Sequence, residues 1–121
     1  MKKILLIEDN EMNRDMLSRR LERKGFEVLL AEDGATGLER IHSDAPDLVL
    51  LDLSLPVLDG FGVLKRVRED PESKSVPIIV LTAHAMEHDR EKSIEMGADD
   101  FDTKPIDLPR LLGKMSALLE D

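Results

Sequence analysis

Leu48-Val49-Leu50-Leu51 runs without interruption into Asp52, and this stretch decides the fold. A strand that is apolar at every position is typical of a parallel sheet covered on both faces. Two other apolar segments also end in charged residues: Ile4-Leu5-Leu6-Ile7 runs into Glu8-Asp9, and a short segment through Phe101 runs into Lys104-Pro105. If all three are parallel strands, their carboxyl ends meet at one edge of one sheet, where three acids and one lysine share a pocket.

Short apolar runs alternate with amphipathic segments along the rest of the chain. The pattern predicts strands and helices in strict alternation. The strands are predicted at 3–8, 26–31, 47–52, 78–82 and about 99–102, and the helices at 11–24, 34–44, 60–69, 87–96 and 107–119. Asp33 and Asp59 are placed to cap the second and third helices, and Gly25 and Gly97 to end the first and fourth.

This alternation predicts an α/β protein of flavodoxin-like (βα)5 architecture, a doubly wound five-stranded parallel sheet with helices on both faces. The expected strand order is 2-1-3-4-5, which sets strands 1 and 3 side by side at the topological switch point. Ligands bind there, beyond the carboxyl ends of the strands. Strand 1 would deliver Glu8 and Asp9 to that point, and strand 3 would deliver Asp52.

Length and charge narrow the classes of function. The 121 residues are expected to form one domain, residues 1–121, without an output domain. Lys and Arg number 17 against 26 Asp and Glu, a formal net charge of −9, so we expect neither nucleic acid nor an anionic membrane as partner. No apolar run approaches the length of a membrane span or a signal peptide, so a cytoplasmic location is expected.

The acids at the switch point repel one another unless a positive charge lies among them. Mg²⁺ takes oxygen ligands and commonly uses one or two carboxylates. Asp9 and Asp52 are the candidates for direct ligands, Glu8 for a ligand through water, and the backbone carbonyl of Ser54 for a further ligand. The alternative is that Asp9 and Asn10 only cap the following helix.

Lys104 and Thr82 are each open to two interpretations. Lys104 could neutralise the carboxylates in a salt bridge, or bind a phosphoryl group as a point charge. The hydroxyl of Thr82 could donate to a phosphoryl oxygen, or satisfy local backbone at a strand end. An aspartate beside a cation, a lysine and a hydroxyl is suited to attack phosphorus and form an acyl phosphate.

The order and spacing of these motifs resemble one family. The motifs are Glu8-Asp9, Asp52 after Asp47-Leu48-Val49-Leu50-Leu51, Leu55-Pro56 with Asp59-Gly60, Pro77-Ile78-Ile79-Val80-Leu81-Thr82-Ala83, Gly97-Ala98 with Asp99 and Phe101, and Lys104-Pro105. With these motifs, essentially the whole chain resembles the receiver domains of two-component response regulators, the CheY-like family.

The resemblance assigns roles at the matching positions. It implies that Asp52 accepts a phosphoryl group from a phosphohistidine of a histidine kinase or phosphotransfer protein. It also implies that Asp9, Asp52 and the Ser54 carbonyl hold Mg²⁺, that Lys104 binds the phosphoryl group, and that Thr82 and Phe101 form a switch pair. Such a domain is a self-phosphorylating switch, not a turnover enzyme.

In such domains phosphorylation changes the face made by helix 4, strand 5 and helix 5, which contacts a protein target not named by the sequence. A monomer is expected, with dimerisation on phosphorylation left open. Ser54 and His84 lie two residues beyond Asp52 and Thr82, and we expect them to flank the water that hydrolyses the acyl phosphate, so that they tune its lifetime.

Residues 8–14, Glu8-Asp9-Asn10-Glu11-Met12-Asn13-Arg14, resemble the start of receivers in hybrid kinases and in single-domain regulators of the DivK group. This suggests a docking surface for a phosphotransfer helix at Met12, Asn13 and Met16. Methionines supply adaptable apolar contact, but at helical spacing both could equally belong to the core.

Other classes of protein share parts of this pattern. A phosphatase of the haloacid dehalogenase type needs a second acid two positions after its nucleophile, where this chain has Ser54. A flavodoxin needs a hydroxyl-rich phosphate loop after strand 1, where this chain is acidic. A third interpretation is a receiver-like module that binds partners without phosphorylation, and a receiver excised from a larger hybrid kinase or regulator also stays open.

Overall fold

The computed structural model describes residues 1–83 and 87–119, and over these residues strands and helices alternate. The ten elements, in chain order, are β1 (Lys3–Ile7), α1 (Glu11–Arg23), β2 (Glu27–Ala31), α2 (Gly34–Asp44), β3 (Leu48–Asp52), α3 (Gly60–Glu69), β4 (Ile78–Thr82), α4 (Glu87–Glu95), β5 (Asp100–Thr103) and α5 (Leu108–Leu119). Every predicted element is present. Within the described residues, no helix is long and apolar enough to cross a membrane.

The strands form one parallel sheet in the order β2-β1-β3-β4-β5, as predicted. β1 and β3 are neighbours, with Ile4 opposite Leu48 and Ile7 opposite Leu51. All five residues of β3 are buried, as expected for a central strand covered on both faces. The predicted switch point therefore exists at the carboxyl ends of β1 and β3.

Alternate side chains of the strands pack into two hydrophobic cores, one on each face of the sheet. On one face the core includes Ile41 of α2 and Val63 and Val67 of α3. On the other it includes Leu21 of α1 and Leu111 of α5. The helices thus cover both faces of the sheet, and the ends of the strands stay uncovered by them.

Polar side chains set the starts of three helices. Asn10, Asp33 and Asp59 each accept a hydrogen bond from the backbone N–H three residues further on. The predicted caps Asp33 and Asp59 are confirmed. At the start of α1 the cap is Asn10, so Asp9 is not needed for capping.

Several predicted strand boundaries differ from the structure by one residue, among them those at Glu8 and Asp99. The first strand was predicted over 3–8 but ends at Ile7, which places Glu8 just beyond the sheet. The last strand was predicted over 99–102 but spans Asp100–Thr103. Asp99 lies in the preceding loop, where its side chain accepts from the backbone N–H of Ile78 at 2.8 Å.

At the amino ends of the strands, opposite the switch point, Arg68 of α3 joins the loops that precede β4 and β5. Its guanidinium donates to the carbonyls of Gly97 (2.8 Å), Lys74 (2.9 Å) and Val76 (2.7 Å), and to the Asp99 carboxylate (2.9 Å). We call these five residues the Arg68 cluster. Gly97 has φ +112°, and a Cβ there would lie 2.6 Å from Arg68 Cγ, so glycine is required for both reasons.

Candidate functional site

The three predicted acids meet at the switch point. One carboxylate oxygen from each of Glu8, Asp9 and Asp52 lies within 4.8 Å of the other two. Glu8 and Asp52 are 4% and 5% exposed, whereas Asp9 is open to solvent. We call these three residues the acidic cluster.

Local backbone contacts hold Asp52 in place. Its Oδ1 accepts a hydrogen bond from the Ser54 N–H at 3.1 Å, and the next residue, Leu53, donates its N–H to the Leu81 carbonyl at 3.2 Å. A Cβ on Gly60 would lie 2.7 Å from both the Asp52 carbonyl oxygen and Leu53 Cα. Glycine is therefore required where α3 starts against the end of β3, and the Asp52 backbone is closely packed.

Glu8 is held at both its backbone and its side chain. Its N–H donates to the Ala31 carbonyl at 3.0 Å, and its Oε2 accepts from the Asn10 N–H at 3.1 Å. Its other carboxylate oxygen accepts from Lys104 Nζ. The carbonyls of Glu8 and Asp9 accept from Arg14 Nη1 at 2.8 and 3.4 Å.

Lys104 reaches the acidic cluster from the end of β5, as predicted. Its Nζ donates to Glu8 Oε1 and to Asp52 Oδ2, the latter at 3.2 Å. The bond between Lys104 and Pro105 is cis. Burial acts to lower the pKa of Lys104, but the hydrogen bond that it donates to Glu8 and the charges of Asp52 and Glu8 outweigh this effect, so that the pKa is raised above its ordinary value.

The charges of this site do not balance. Three carboxylates face one ammonium group, so two negative charges remain to be offset. Clustered carboxylate oxygens are the donor set that a hard divalent cation prefers. The residues therefore fit Mg²⁺, with Asp9, Asp52 and Glu8 as the side chains able to hold it. The Ser54 N–H already binds Asp52, and the role of the Ser54 carbonyl as a ligand stays a prediction.

The predicted switch residues lie on adjacent strands beside the site. Thr82, at the end of β4, is 2% exposed, and its carbonyl accepts from the Lys104 N–H at 2.8 Å. Phe101 of β5 is 6% exposed and packs in the core shared with α2 and α3. The ring thus points inward, and the switch roles of both residues stay predictions.

A buried charge next to Phe101 was not predicted. Asp102 is 3% exposed, and its Oδ1 accepts from Arg110 Nε of α5 at 2.8 Å. Its Oδ2 is buried with no hydrogen-bond partner among the described residues. Lys114 of α5 donates to the Phe101 carbonyl at 2.5 Å. Arg110 and Lys114 of α5 therefore contact β5 at Asp102 and at the carbonyl of Phe101, the expected switch residue.

The predicted docking residues lie on the surface of α1. Met12 is 71% exposed and Met16 is 55% exposed, so neither belongs to the core. Asn13 is also exposed. A groove of about 200 Å³ runs beside Lys104, lined also by Glu8, Asn13, Met16, Leu17, Arg20, Leu81, Pro105 and Ile106. His84, predicted to tune the phosphoryl lifetime, lies outside the described residues.

A doubly wound α/β domain with acids and a lysine at its switch point is the class that this geometry defines. Residues 4–116 match the family model described as response regulator receiver domain. The chain belongs to this family. Receivers of this family are phosphorylation-dependent switches of two-component signalling, and are signalling domains rather than classical turnover enzymes.

Curated relatives of different lengths match. The transcriptional regulator RpaA of Synechocystis is 40% identical over 119 residues, which are 98% of this chain and 49% of that protein. The polar-differentiation response regulator DivK of Brucella anthropi is 32% identical, and the match covers 99% of this chain and 98% of that protein. The chain thus spans about half the length of the first of these and nearly all of the second.

Solved structures agree with the fold. A putative response regulator from Chloroflexus aurantiacus has a TM-score of 0.94 and 32% identity, with 99% of this chain and 98% of that chain covered. The receiver domain of the sensor histidine kinase PA1611 from Pseudomonas aeruginosa has a TM-score of 0.91 and 32% identity, with the same coverage. That structure has a magnesium ion coordinated in its active-site cleft.

Proposed function

We propose that this domain accepts a phosphoryl group on Asp52 from a phosphohistidine of a histidine kinase or phosphotransfer protein. The observation that supports this most directly is the meeting of Asp52 with Glu8, Asp9 and Lys104 at the switch point. Asp52 is buried at the end of β3, with one oxygen bound to Ser54 and the other to Lys104.

The transfer is a substitution at phosphorus. A carboxylate oxygen of Asp52 attacks the phosphorus atom, the bond from phosphorus to the histidine nitrogen breaks, and the electron pair of that bond stays on the nitrogen. The products are an acyl phosphate and, because the other ring nitrogen of the phosphohistidine carries a proton, a neutral histidine. The Lys104 ammonium, freed from Asp52, binds a phosphoryl oxygen, and the Thr82 hydroxyl donates to another.

Asp9, Asp52 and Glu8 would hold Mg²⁺ in this proposal, with the Ser54 carbonyl as a further ligand. The ion supplies positive charge beside the phosphoryl oxygens when it is bound. The magnesium in the PA1611 receiver supports this assignment, since that domain shares the fold and 32% of its residues.

The phosphorylated state would be read by protein contact at the face made by α4, β5 and α5. Phe101 and the two α5 cations that bind β5 lie on this face. The target, the oligomeric state on activation, the influence of Ser54 and His84 on phosphoryl lifetime, and the cytoplasmic location stay predictions. Because several relatives are about twice as long, the existence of an output domain elsewhere is left open.

Intact mass after incubation with acetyl phosphate tests the proposal. We expect one added phosphoryl group on the wild type only with Mg²⁺, none on Asp52→Asn, and normal addition to Asp15→Asn, which removes an exposed acid of α1. No adduct on the wild type, together with no binding of beryllofluoride, would overturn the proposal in favour of a phosphorylation-independent interaction module.

We also propose that the exposed start of α1 binds the phosphotransfer helix of the donor. Met12, Met16 and the groove beside Lys104 offer apolar area next to the acceptor. Met12→Ala is expected to slow transfer from the cognate phosphohistidine protein at least fivefold, and to leave labelling by acetyl phosphate unchanged. Equal transfer rates from the protein donor would exclude docking through Met12.

A further inference from the structure

Arg14 is a cation next to the acidic cluster that the proposed phosphoryl chemistry does not use. It lies in the first turns of α1, half-buried, and its Nη1 points back to the loop between β1 and α1. There it donates to the Glu8 carbonyl at 2.8 Å and to the Asp9 carbonyl at 3.4 Å. It is bound to the backbone of the two acids and not to their carboxylates.

These two carbonyls precede the helix and so take no part in its hydrogen bonding. The other contacts of this loop include the Glu8 N–H to Ala31, the Glu8 carboxylate to the Asn10 N–H and to Lys104, and the cap that Asn10 forms on α1. Of the hydrogen bonds described, only those from Arg14 bind the carbonyls of Glu8 and Asp9. Arg14 therefore adds a restraint, on the carbonyl side, to the backbone from which the exposed Asp9 side chain extends.

We propose that Arg14 is a positioning residue that pre-organises the loop of residues 8–10 for divalent cation binding. The inference rests on the proposed function, because it takes the acidic cluster to be the Mg²⁺ site. Groups that orient metal ligands from outside the coordination shell commonly change metal affinity by one to two orders of magnitude. A loop ordered before binding costs less conformational entropy when the ion arrives.

Charge and positioning predict opposite effects of removing Arg14. A guanidinium beside the acids repels Mg²⁺, so loss of its charge alone would strengthen cation binding. Loss of the two carbonyl contacts would weaken it, because the Asp9 backbone becomes free to move. The direction of the change in affinity therefore separates the two roles.

Calorimetric titration of the metal-free protein with Mg²⁺ makes this test. We expect Arg14→Gln to weaken binding by about tenfold. Arg19→Gln is the matched control, since Arg19 lies on the same helix and pairs with Asp15 on the exposed surface. Its affinity is expected to stay within about twofold of the wild type. Unchanged or tighter binding by Arg14→Gln would overturn the inference.

Two further measurements guard the interpretation. Arg14→Lys keeps the charge and can reach one carbonyl, so it should restore part of the lost affinity; binding as weak as in Arg14→Gln would count against the carbonyl contacts. Amide hydrogen exchange at residues 8–10 should be faster in metal-free Arg14→Gln than in the wild type, and equal rates would contradict positioning. Failure of the wild type itself to bind Mg²⁺ would instead overturn the proposed function.

Discussion

The two edges of the sheet that the strand ends form each hold a half-buried cation among acceptors, and the two edges differ in their balance of charge. In the Arg68 cluster, one guanidinium meets one carboxylate and three carbonyls. In the acidic cluster, one ammonium meets two buried carboxylates, with a third acid exposed beside them. The first edge has matched donors, acceptors and charges, and the second has an excess of negative charge.

This difference distinguishes a structural ion pair from a site that can bind a cation. Arg68 satisfies three loop carbonyls, two of them in half-buried contacts, and a further ligand would gain nothing there. Lys104 only partly offsets the acids around it, so a cation gains free energy by joining them. A buried salt bridge is thus weak evidence for function until the charges around it are counted.

The largest expected effect of a single change is at Arg68. Arg68→Ala should lower the free energy of unfolding by about 3 kcal/mol, because three carbonyls of two loops and the Asp99 carboxylate lose their partner. Urea unfolding monitored by circular dichroism measures the change. Mg²⁺ should stabilise Arg68→Ala and the wild type equally and leave the difference between them unchanged, since the acidic cluster lies at the other edge. A difference that shrinks when Mg²⁺ is added would contradict the separation of the two edges.

A smaller loss of stability is expected for Lys104→Met. The acids of the cluster then repel each other unscreened, but the burial cost of the ammonium is also removed, so we expect a loss of about 1 kcal/mol. Mg²⁺ should reverse this loss, because it replaces the missing positive charge. A ligand present at 100 times its Kd adds about 2.7 kcal/mol to the free energy of unfolding. The same unfolding series with and without Mg²⁺ tests this, and an equal Mg²⁺ effect on Arg68→Ala and Lys104→Met would refute it.

The smallest effect is expected for Arg66→Ala, the control for Arg68. Arg66 lies on the same helix but faces solvent. Its loss should change the free energy of unfolding by less than about 0.5 kcal/mol. A loss as large as that of Arg68→Ala would mean that removal of a positive charge from α3, and not the loop contacts, explains the result at Arg68.

The fold was predictable because the strands of the centre are apolar throughout and the helices start at recognisable caps. β3 and β4 have no exposed residue, and Asp33 and Asp59 each cap the helix that follows. The acidic cluster was predictable for the same reason, since parallel strands bring their carboxyl ends together wherever their neighbours lie in the sequence.

What the sequence did not reveal depends on contacts between distant segments. Arg68 lies 31 residues from Asp99, and nothing in the helical pattern marks it as different from its neighbours. Periodicity also left Met12 and Met16 open between core and surface, because a stripe of apolar residues can extend beyond the area that the sheet covers. The structure places both outside the core.

Asp102 affects whether β5 can pair with a strand from a second copy of the chain. β5 is an edge strand, and edge strands with free backbone groups can pair with a strand from another chain. A charged side chain that points inward from an edge strand is one of the ways in which native sheets discourage such pairing. A second copy would have to add its strand against a segment that carries Asp100 and Asp102 and is bound by Arg110 and Lys114. The buried carboxylate thus makes this edge a poor template for sheet extension and favours contact through the helices instead.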